Sequence, residues 1–381
     1  MAEPTSAQLI AIAEAFHGPG TIEAVEPLGS GNVNATYLVH TTGTRSVLQR
    51  LNRRVFPHPE LVLANHAVLS AHVERRLMQL REGQQLLRER RWELPGLLPR
   101  RADGERAHHC PQGEVWRMLT YVEDARSVDV VESPAQAREL GIGLGLFHQL
   151  VSDLPANALA DTLEGFHVTP GYLAAYHRCL VQTRIDPSRE TEHCIRFIRE
   201  REGICDLLER AKERGELPLR PIHGDPKINN VMLDRRSGQA VALIDLDTVK
   251  PGLVHYDIGD CLRSCCNPLG EETTEIEAVH FDLNLAAEIL TGYFSVTAGV
   301  LSAAEVRLIP DAARLISFEL GLRFFSDHLN GDRYFRVSHP GHNLQRALVQ
   351  FHLTASIENQ LKPLRQLVSD LAGPARVAVE R

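Results

Sequence analysis

Pro221-Ile222-His223-Gly224-Asp225-Pro226-Lys227-Ile228-Asn229-Asn230-Val231-Met232-Leu233, followed by Val241-Ala242-Leu243-Ile244-Asp245-Leu246-Asp247-Thr248, is the most informative part of this 381-residue chain. Gly224 permits a tight turn that presents Asp225. Asn230 opens a short apolar strand over 230–233, and Asp245 closes a second one over 240–244. Between them lies the turn signal Arg235-Arg236-Ser237-Gly238. Singly these residues say little, because an Asp after a Gly is commonly a turn residue and an Asn before a strand a cap. Together, H-G-D-x-x-x-x-N, a hairpin and I-D-x-D place one carboxylate and two oxygen ligands around one spot. Phosphoryl transfer needs that set: a carboxylate to orient a hydroxyl and take its proton, and oxygens to hold magnesium against phosphates.

Upstream, residues 7–16 read as a short helix after Ser6, ended by Gly18-Pro19-Gly20. Strand-like runs follow at 22–28, 35–40 and 45–51, with Gly29-Ser30-Gly31-Asn32 in the first turn and Thr42-Gly43-Thr44 in the second. A helix is expected over 60–80 from the spacing of Leu61, Ala64, Val68, Ala71 and His72. The arginine-rich run 75–101 reads as a solvated helix face and surface loop. A strand over 114–122 leads into the connector Glu123-Asp124-Ala125. Downstream, 135–150, 171–183, 190–215 and most of 275–371 look helical. The expected class is α+β, with a small β-rich lobe over 1–122, a larger, mostly helical lobe over 123–381 and a cleft between them.

Composition agrees with a globular protein, at 43% apolar and 24% charged residues. The net charge of −8 argues against nucleic acid as a partner. No signal-peptide pattern stands at the N-terminus, and runs such as 283–290 fall short of the roughly 20 residues that span a bilayer. The seven cysteines, with Cys265 and Cys266 adjacent, suit reduced thiols in a cytoplasm better than a disulfide framework. The Asn34-Ala35-Thr36 sequon carries no weight without secretion. Oligomeric state is not legible.

The H-G-D and I-D-x-D elements resemble the motif of the aminoglycoside phosphotransferase and choline kinase group, two-lobed relatives of the protein kinases. The resemblance implies Asp225 as catalytic base, Asn230 and Asp245 as magnesium ligands, ATP and Mg2+ as cofactors, and His223 as a brace for the loop. A closer resemblance runs through GSGNVNATY (29–37), VLQRLNRRVF (47–56), IDLDTVKPG (244–252) and ELGLRFFSDHLNGDRYF (319–335). These stretches are similar to N-acetylhexosamine 1-kinases, which phosphorylate the anomeric hydroxyl of N-acetylglucosamine or N-acetylgalactosamine.

On the nucleotide side, Gly29, Ser30 and Gly31 read either as a phosphate cover or as a plain hairpin turn. Arg50 falls where kinases carry a phosphate-pairing lysine. Glu60 and Glu74 are unanchored candidates for its carboxylate partner, and 116–123 for the segment beside a purine. On the acceptor side, Arg323, Asp332 and Tyr334 read from composition as a helix cap; the resemblance makes Arg323 and Tyr334 sugar contacts, with Thr248 and Asn32 nearby. His339 and His342 read as part of a turn. Rival readings are a kinase of the same fold acting on choline, homoserine or an aminoglycoside, and a nucleotide-binding pseudokinase without turnover.

Overall fold

The structure, a computed structural model, describes residues 4–29, 33–83, 89–182 and 187–373. Alternating side chains build an antiparallel sheet in which Ile22–Pro27, Ala35–Thr41, Thr44–Arg50 and Val115–Thr120 are successive neighbours. The short strands Leu97–Leu98 and His108–His109 both pair with the last of these. Helix Ser6–His17 starts at a Thr5–Gln8 capping box and stops at Gly18, whose φ of 103° few other residues adopt. Its apolar face (Leu9, Ile12, Ala13, Phe16) packs on Val39, Leu48, Trp116 and Met118 of the sheet.

Helix Pro59–Gly83 leaves the sheet and is stapled to the rest of the chain by one buried amide. Asn65 Nδ2 donates to the carbonyls of Ala160 (2.8 Å) and Val249 (2.9 Å), while its Oδ1 accepts the Ala160 N–H at 2.8 Å. Past Thr120 the chain enters a second, smaller sheet, where Ala125–Arg126 pairs with Val231–Asp234 and that strand with Ala240–Leu243. Arg220–Ile222 and Lys250–Gly252 form a further two-stranded ladder that the sequence pattern did not suggest. The H-G-D and I-D-x-D elements sit in the connections of these small sheets, backed by helices.

Those helices share one large core, drawn from Pro134–Leu150, Val254–Cys265, Leu283–Val296 and the C-terminal half. The run expected as one helix over 190–215 is broken into Arg189–Arg199, a 3-10 turn at Glu202–Ile204 and Leu207–Glu213. Gly203, a weak helix former, lies at the break, and Arg201 turns to pair with Glu358 at 2.9 Å. Among the described residues no helix is long and apolar enough to cross a membrane. All seven cysteines are free thiols.

Helices Pro134–Leu150 and Leu283–Val296 cross at glycine. A Cβ on Gly141 would run into the Ile289 carbonyl oxygen, and one on Gly292 into that of Arg138. Alanine has the better helix propensity, by roughly 0.5–1 kcal/mol, but here the steric cost wins. Gly141→Ala is expected to destabilise the protein by about 1–3 kcal/mol. A thermal melt checks this, with a melting temperature lowered by several degrees as the expected result.

Candidate active site

The turn His223-Gly224-Asp225 hangs from one buried carboxylate. Asp257 Oδ2 accepts the His223 amide N–H at 2.7 Å and Oδ1 that of Gly224 at 2.8 Å. Behind it, His148 Nε2 lies 2.9 Å from Asp257 Oδ2, and His148 Nδ1 lies 2.8 Å from the Tyr293 hydroxyl. Burial alone would raise the Asp257 pKa. His148 and the His223 bonds outweigh it and hold the carboxyl below the usual carboxylate value. Gly224 has φ +87°, and a Cβ there would approach the Thr248 carbonyl oxygen to 2.6 Å, so the turn requires glycine.

His223 is fully enclosed, and burial lowers its pKa. Its Nδ1 accepts the Asp225 amide N–H at 3.3 Å, so Nε2 carries the ring proton and donates it to the Ile244 carbonyl at 2.9 Å. The ring thus ties the catalytic turn to the strand that ends at Asp245. With both nitrogens engaged, it is a brace and takes no proton from a substrate.

Asp225, Lys227, Asn230 and Asp245 all line a single cleft of about 1270 Å³. Asn230 Nδ2 donates to the Asp225 carbonyl at 2.7 Å and lies 3.3 Å from Oδ2 of its carboxylate. The Ile244 N–H donates to the Asn230 carbonyl at 2.9 Å, which brings Asp245 alongside. Lys227 Nζ is 2.9 Å from Asp225 Oδ2. Burial pushes the Asp225 pKa up, but the Lys227 ammonium, aided by His223 and Arg263, brings it below the ordinary value. Asp245 behaves in the opposite way. Although its side chain opens onto the cleft, the protein packed around it and the charges of Asp247 and Asp225 raise its pKa to about 6 against the pull of Lys227 and Arg117. It also holds a left-handed backbone, φ 63°, that few non-glycine residues adopt. Of this set Lys227 was visible in the motif without being assigned a role.

The second aspartate of I-D-x-D is buried and joins the two lobes. Asp247 Oδ2 accepts Asn34 Nδ2 at 2.5 Å, and Oδ1 takes a close ion pair from Arg117 on strand Val115–Thr120. Arg117 Nε and Nη2 also donate to Gln49 Oε1, at 3.1 and 2.7 Å. Strand alternation decides what faces the nucleotide side. Val47 and Gln49 line the cleft. Arg50 points the other way, 2.8 Å from Glu114 and stacked over Trp116. The expectation for Arg50 is therefore corrected: the third strand presents an uncharged amide to the cleft, backed by the Arg117–Asp247 pair. Gly29 lines the cleft with φ 68°, whereas Ser30, Gly31 and Asn32 lie outside the described residues. Neither Glu60, which pairs with His58, nor Glu74 enters the cleft lining.

On the acceptor side Arg323 is caged by aromatic rings, its guanidinium carbon 5.2 Å from Phe166, 5.0 Å from Tyr172 and 5.5 Å from Phe335. Burial works against its charge, and Tyr172, Tyr334, Glu319 and Asp225 more than restore it. Tyr334 and Asp225 are thus each within electrostatic reach of Arg323. Tyr334 is 54% exposed, edge-on to Phe335. Its loop is folded around Asp327, whose carboxylate accepts the amides of Arg333, Tyr334 and Phe335 at 2.9–3.0 Å. Thr248 spends its hydroxyl on the His223 carbonyl at 2.8 Å and does not line the cleft. His342 pairs with Glu272 at 2.5 Å. Among the described residues no group of three His, Cys, Asp or Glu side chains could hold a metal ion.

The antiparallel sheet followed by a helical region is the fold that known small-molecule kinase structures also have. Over 96% of this chain and the whole of the other, the fold matches a microcompartment-associated aminopropanol kinase (TM-score 0.62, 17% identity). It also matches an aminoglycoside phosphotransferase from Alicyclobacillus acidocaldarius (TM-score 0.58, 15% identity, 97% of each chain). A choline kinase from Cryptosporidium parvum is similar as well (TM-score 0.58, 13% identity, 97% of this chain and 99% of the other). At the level of sequence, residues 24–289 match the phosphotransferase enzyme family, and the chain belongs to it.

Because Arg50 faces Glu114 and does not line the cleft, Arg50→Met is expected to leave the KM for magnesium-ATP within about threefold of wild type, under about 1 kcal/mol of binding. Asp247→Asn, which strips the charge from the buried Arg117, is expected to raise that KM by tenfold or more, worth about 1.4 kcal/mol or more of binding, and to lower stability by about 3–5 kcal/mol, as broken buried pairs do. Steady-state kinetics against magnesium-ATP checks both.

Proposed function

We propose that this phosphotransferase is a small-molecule kinase that moves the γ-phosphoryl of ATP to the anomeric hydroxyl of an N-acetylhexosamine. The observation that carries the kinase reading is Asp225, held ionised by Lys227 at 2.9 Å beside Asn230 and Asp245 in one cleft. The acceptor hydroxyl hydrogen-bonds to the Asp225 carboxylate. As its oxygen forms the bond to the γ-phosphorus and the bond to ADP breaks, its proton passes to that carboxylate. A carboxylate with a depressed pKa is a weak base, so its proton transfer comes late and its larger task is orientation. Lys227 keeps this carboxylate charged and lines the same cleft.

A divalent cation fits the same spot. Asp245 is destabilised by Asp247 and Asp225, which a cation would relieve, and the Asn230 amide offers a neutral oxygen beside it. With few protein ligands present, most of the coordination would come from phosphate oxygens. When bound, magnesium neutralises the charge of those phosphates.

The hexosamine reading is supported by the Arg323 cage. Phe166, Tyr172 and Phe335 hold the Arg323 guanidinium in place, and Arg323, within electrostatic reach of Asp225 and Tyr334, offers hydrogen-bond donors to a sugar hydroxyl. A cationic alcohol such as choline is the second reading, because Asp129, Glu271 and Glu272 line the cleft. Those carboxylates are already engaged by Asn229, Arg263 and Arg346, and a fixed guanidinium near the base opposes a cationic acceptor.

Magnesium-dependent ADP release, measured against N-acetylglucosamine, N-acetylgalactosamine, glucose, galactose, choline, homoserine and kanamycin, tests both levels. Turnover is expected with the N-acetylhexosamines, and Asp225→Asn is expected to lose about 10²–10⁴-fold in kcat. Turnover only with choline or another alcohol overturns the hexosamine; magnesium-dependent nucleotide binding with no turnover on any acceptor overturns the kinase. A second expectation follows from Asp245. Because its pKa is near 6, lowering the pH from 7.5 to 5.5 protonates it and weakens magnesium-ADP binding, whereas Asp225 stays ionised. Calorimetric titration of magnesium-ADP at the two pH values checks this.

A further inference from the structure

Between the acceptor wall and the catalytic turn lies a buried histidine that the reaction described so far does not use. His167 sits in the loop before helix Thr169–Gln182 with φ 64°, a left-handed backbone that persists only where its surroundings hold it. Its Nε2 lies 2.8 Å from the Gly224 carbonyl oxygen, and its Nδ1 lies 2.9 Å from Glu319 Oε1. Both partners are acceptors, so both ring nitrogens must carry a proton. The ring is also stacked on Tyr256, at 5.3 Å between centroids.

The geometry points to His167 as a positioning residue for phosphoryl transfer, a buried imidazolium that fixes the Gly224 carbonyl and so sets the direction in which Asp225 meets the acceptor. Gly224 is held on its N–H side by Asp257 and on its C=O side by His167, so the peptide leading into Asp225 has no freedom to rotate. Glu319 supplies the counter-charge, with its other oxygen accepting Thr169 Oγ1 at 2.7 Å and Arg323 4.0 Å away. The charged groups that face His167 are Glu319 and Arg323 on helix Ile309–Leu329 and Asp260 on helix Val254–Cys265. Burial lowers the His167 pKa, but Glu319 outweighs burial and Arg323, with Asp260 assisting, so the net direction is upward. Phe166, next in the chain, packs against Arg323, so one loop touches both the acceptor wall and the catalytic turn.

The sign of the pH dependence follows. The bond to Gly224 is complete while His167 is protonated and is lost as pH rises through its elevated pKa. Removing the counter-charge in Glu319→Gln lowers that pKa and brings the loss to lower pH. This inference rests on Asp225 as the base and is independent of which hydroxyl is phosphorylated. kcat is therefore measured as ADP release from pH 6 to 9.5 with the best acceptor of the panel, or with water if none is used.

The Glu319→Gln variant is expected to move the alkaline limb of kcat down by about one pH unit or more while the KM for magnesium-ATP changes less than about twofold. Imidazole 15N spectra of the wild-type protein, which need no acceptor, are expected to show His167 protonated on both nitrogens at pH 7.5. Its signal is identified by loss in His167→Gln or, if that variant folds poorly, by its shift in Glu319→Gln. A neutral His167 ring at pH 7.5, or an alkaline limb that stays in place in Glu319→Gln, overturns the proposal.

Discussion

The catalytic centre depends on a buried carboxylate that touches no substrate. Asp257 accepts two successive backbone N–H groups, those of His223 and Gly224, and so holds the left-handed glycine turn in register from behind. A carboxylate in an apolar surround is costly unless its lone pairs are filled. Here they are filled by two amides and by His148, whose other nitrogen meets Tyr293. Asp257, His148 and Tyr293 stand on three different helices of the core. The catalytic turn therefore inherits its rigidity from the packing of helices around it.

A second carboxylate does the corresponding work between the lobes. Asp247 follows Asp245 by two residues, and the 3-10 turn at Leu246–Thr248 sends the two side chains to different places, Asp245 to the cleft and Asp247 inward. There it meets Asn34, next to the glycine turn, and Arg117, on the last long strand of the sheet. Replacing such a pair with apolar groups is often neutral for stability, so its value lies in fixing geometry. It couples Asn34 and the sheet to the loop that carries Asp245, the metal ligand of the proposed reaction.

What the sequence made legible was local chemistry and long periodic elements. The α+β order, the meander, the helix over 60–80 and the H-G-D and I-D-x-D spacing all depend on neighbours in the chain, and such patterns survive in one dimension. The roles of Asp257, His148, His167 and Glu319 were illegible because each depends on a partner dozens of residues away. The only trace of Asp257 is a carboxylate in the otherwise enclosed run His255-Tyr256-Asp257-Ile258. Arg50 misled for a different reason. A cation at the expected place in the third strand looked like a phosphate ligand, yet alternation puts Gln49 on the cleft side, and one residue of offset reverses the face.

That offset changes how the nucleotide side works. A lysine on the third strand would meet phosphates as a mobile point charge on a flexible stem. Here Gln49 presents an amide fixed by two donors from Arg117, and the positive charge lies one layer behind, neutralised by Asp247. A cation that lines the cleft beside Asp225, the proposed base, is instead Lys227, two residues away and on the helical lobe. On the proposed reading, charge compensation for a transferred phosphoryl group comes from the loop of Asp225 and not from the sheet. The sheet is left with shape and hydrogen bonds to offer, and the Asp247 link keeps it in register with the loop that carries the charge.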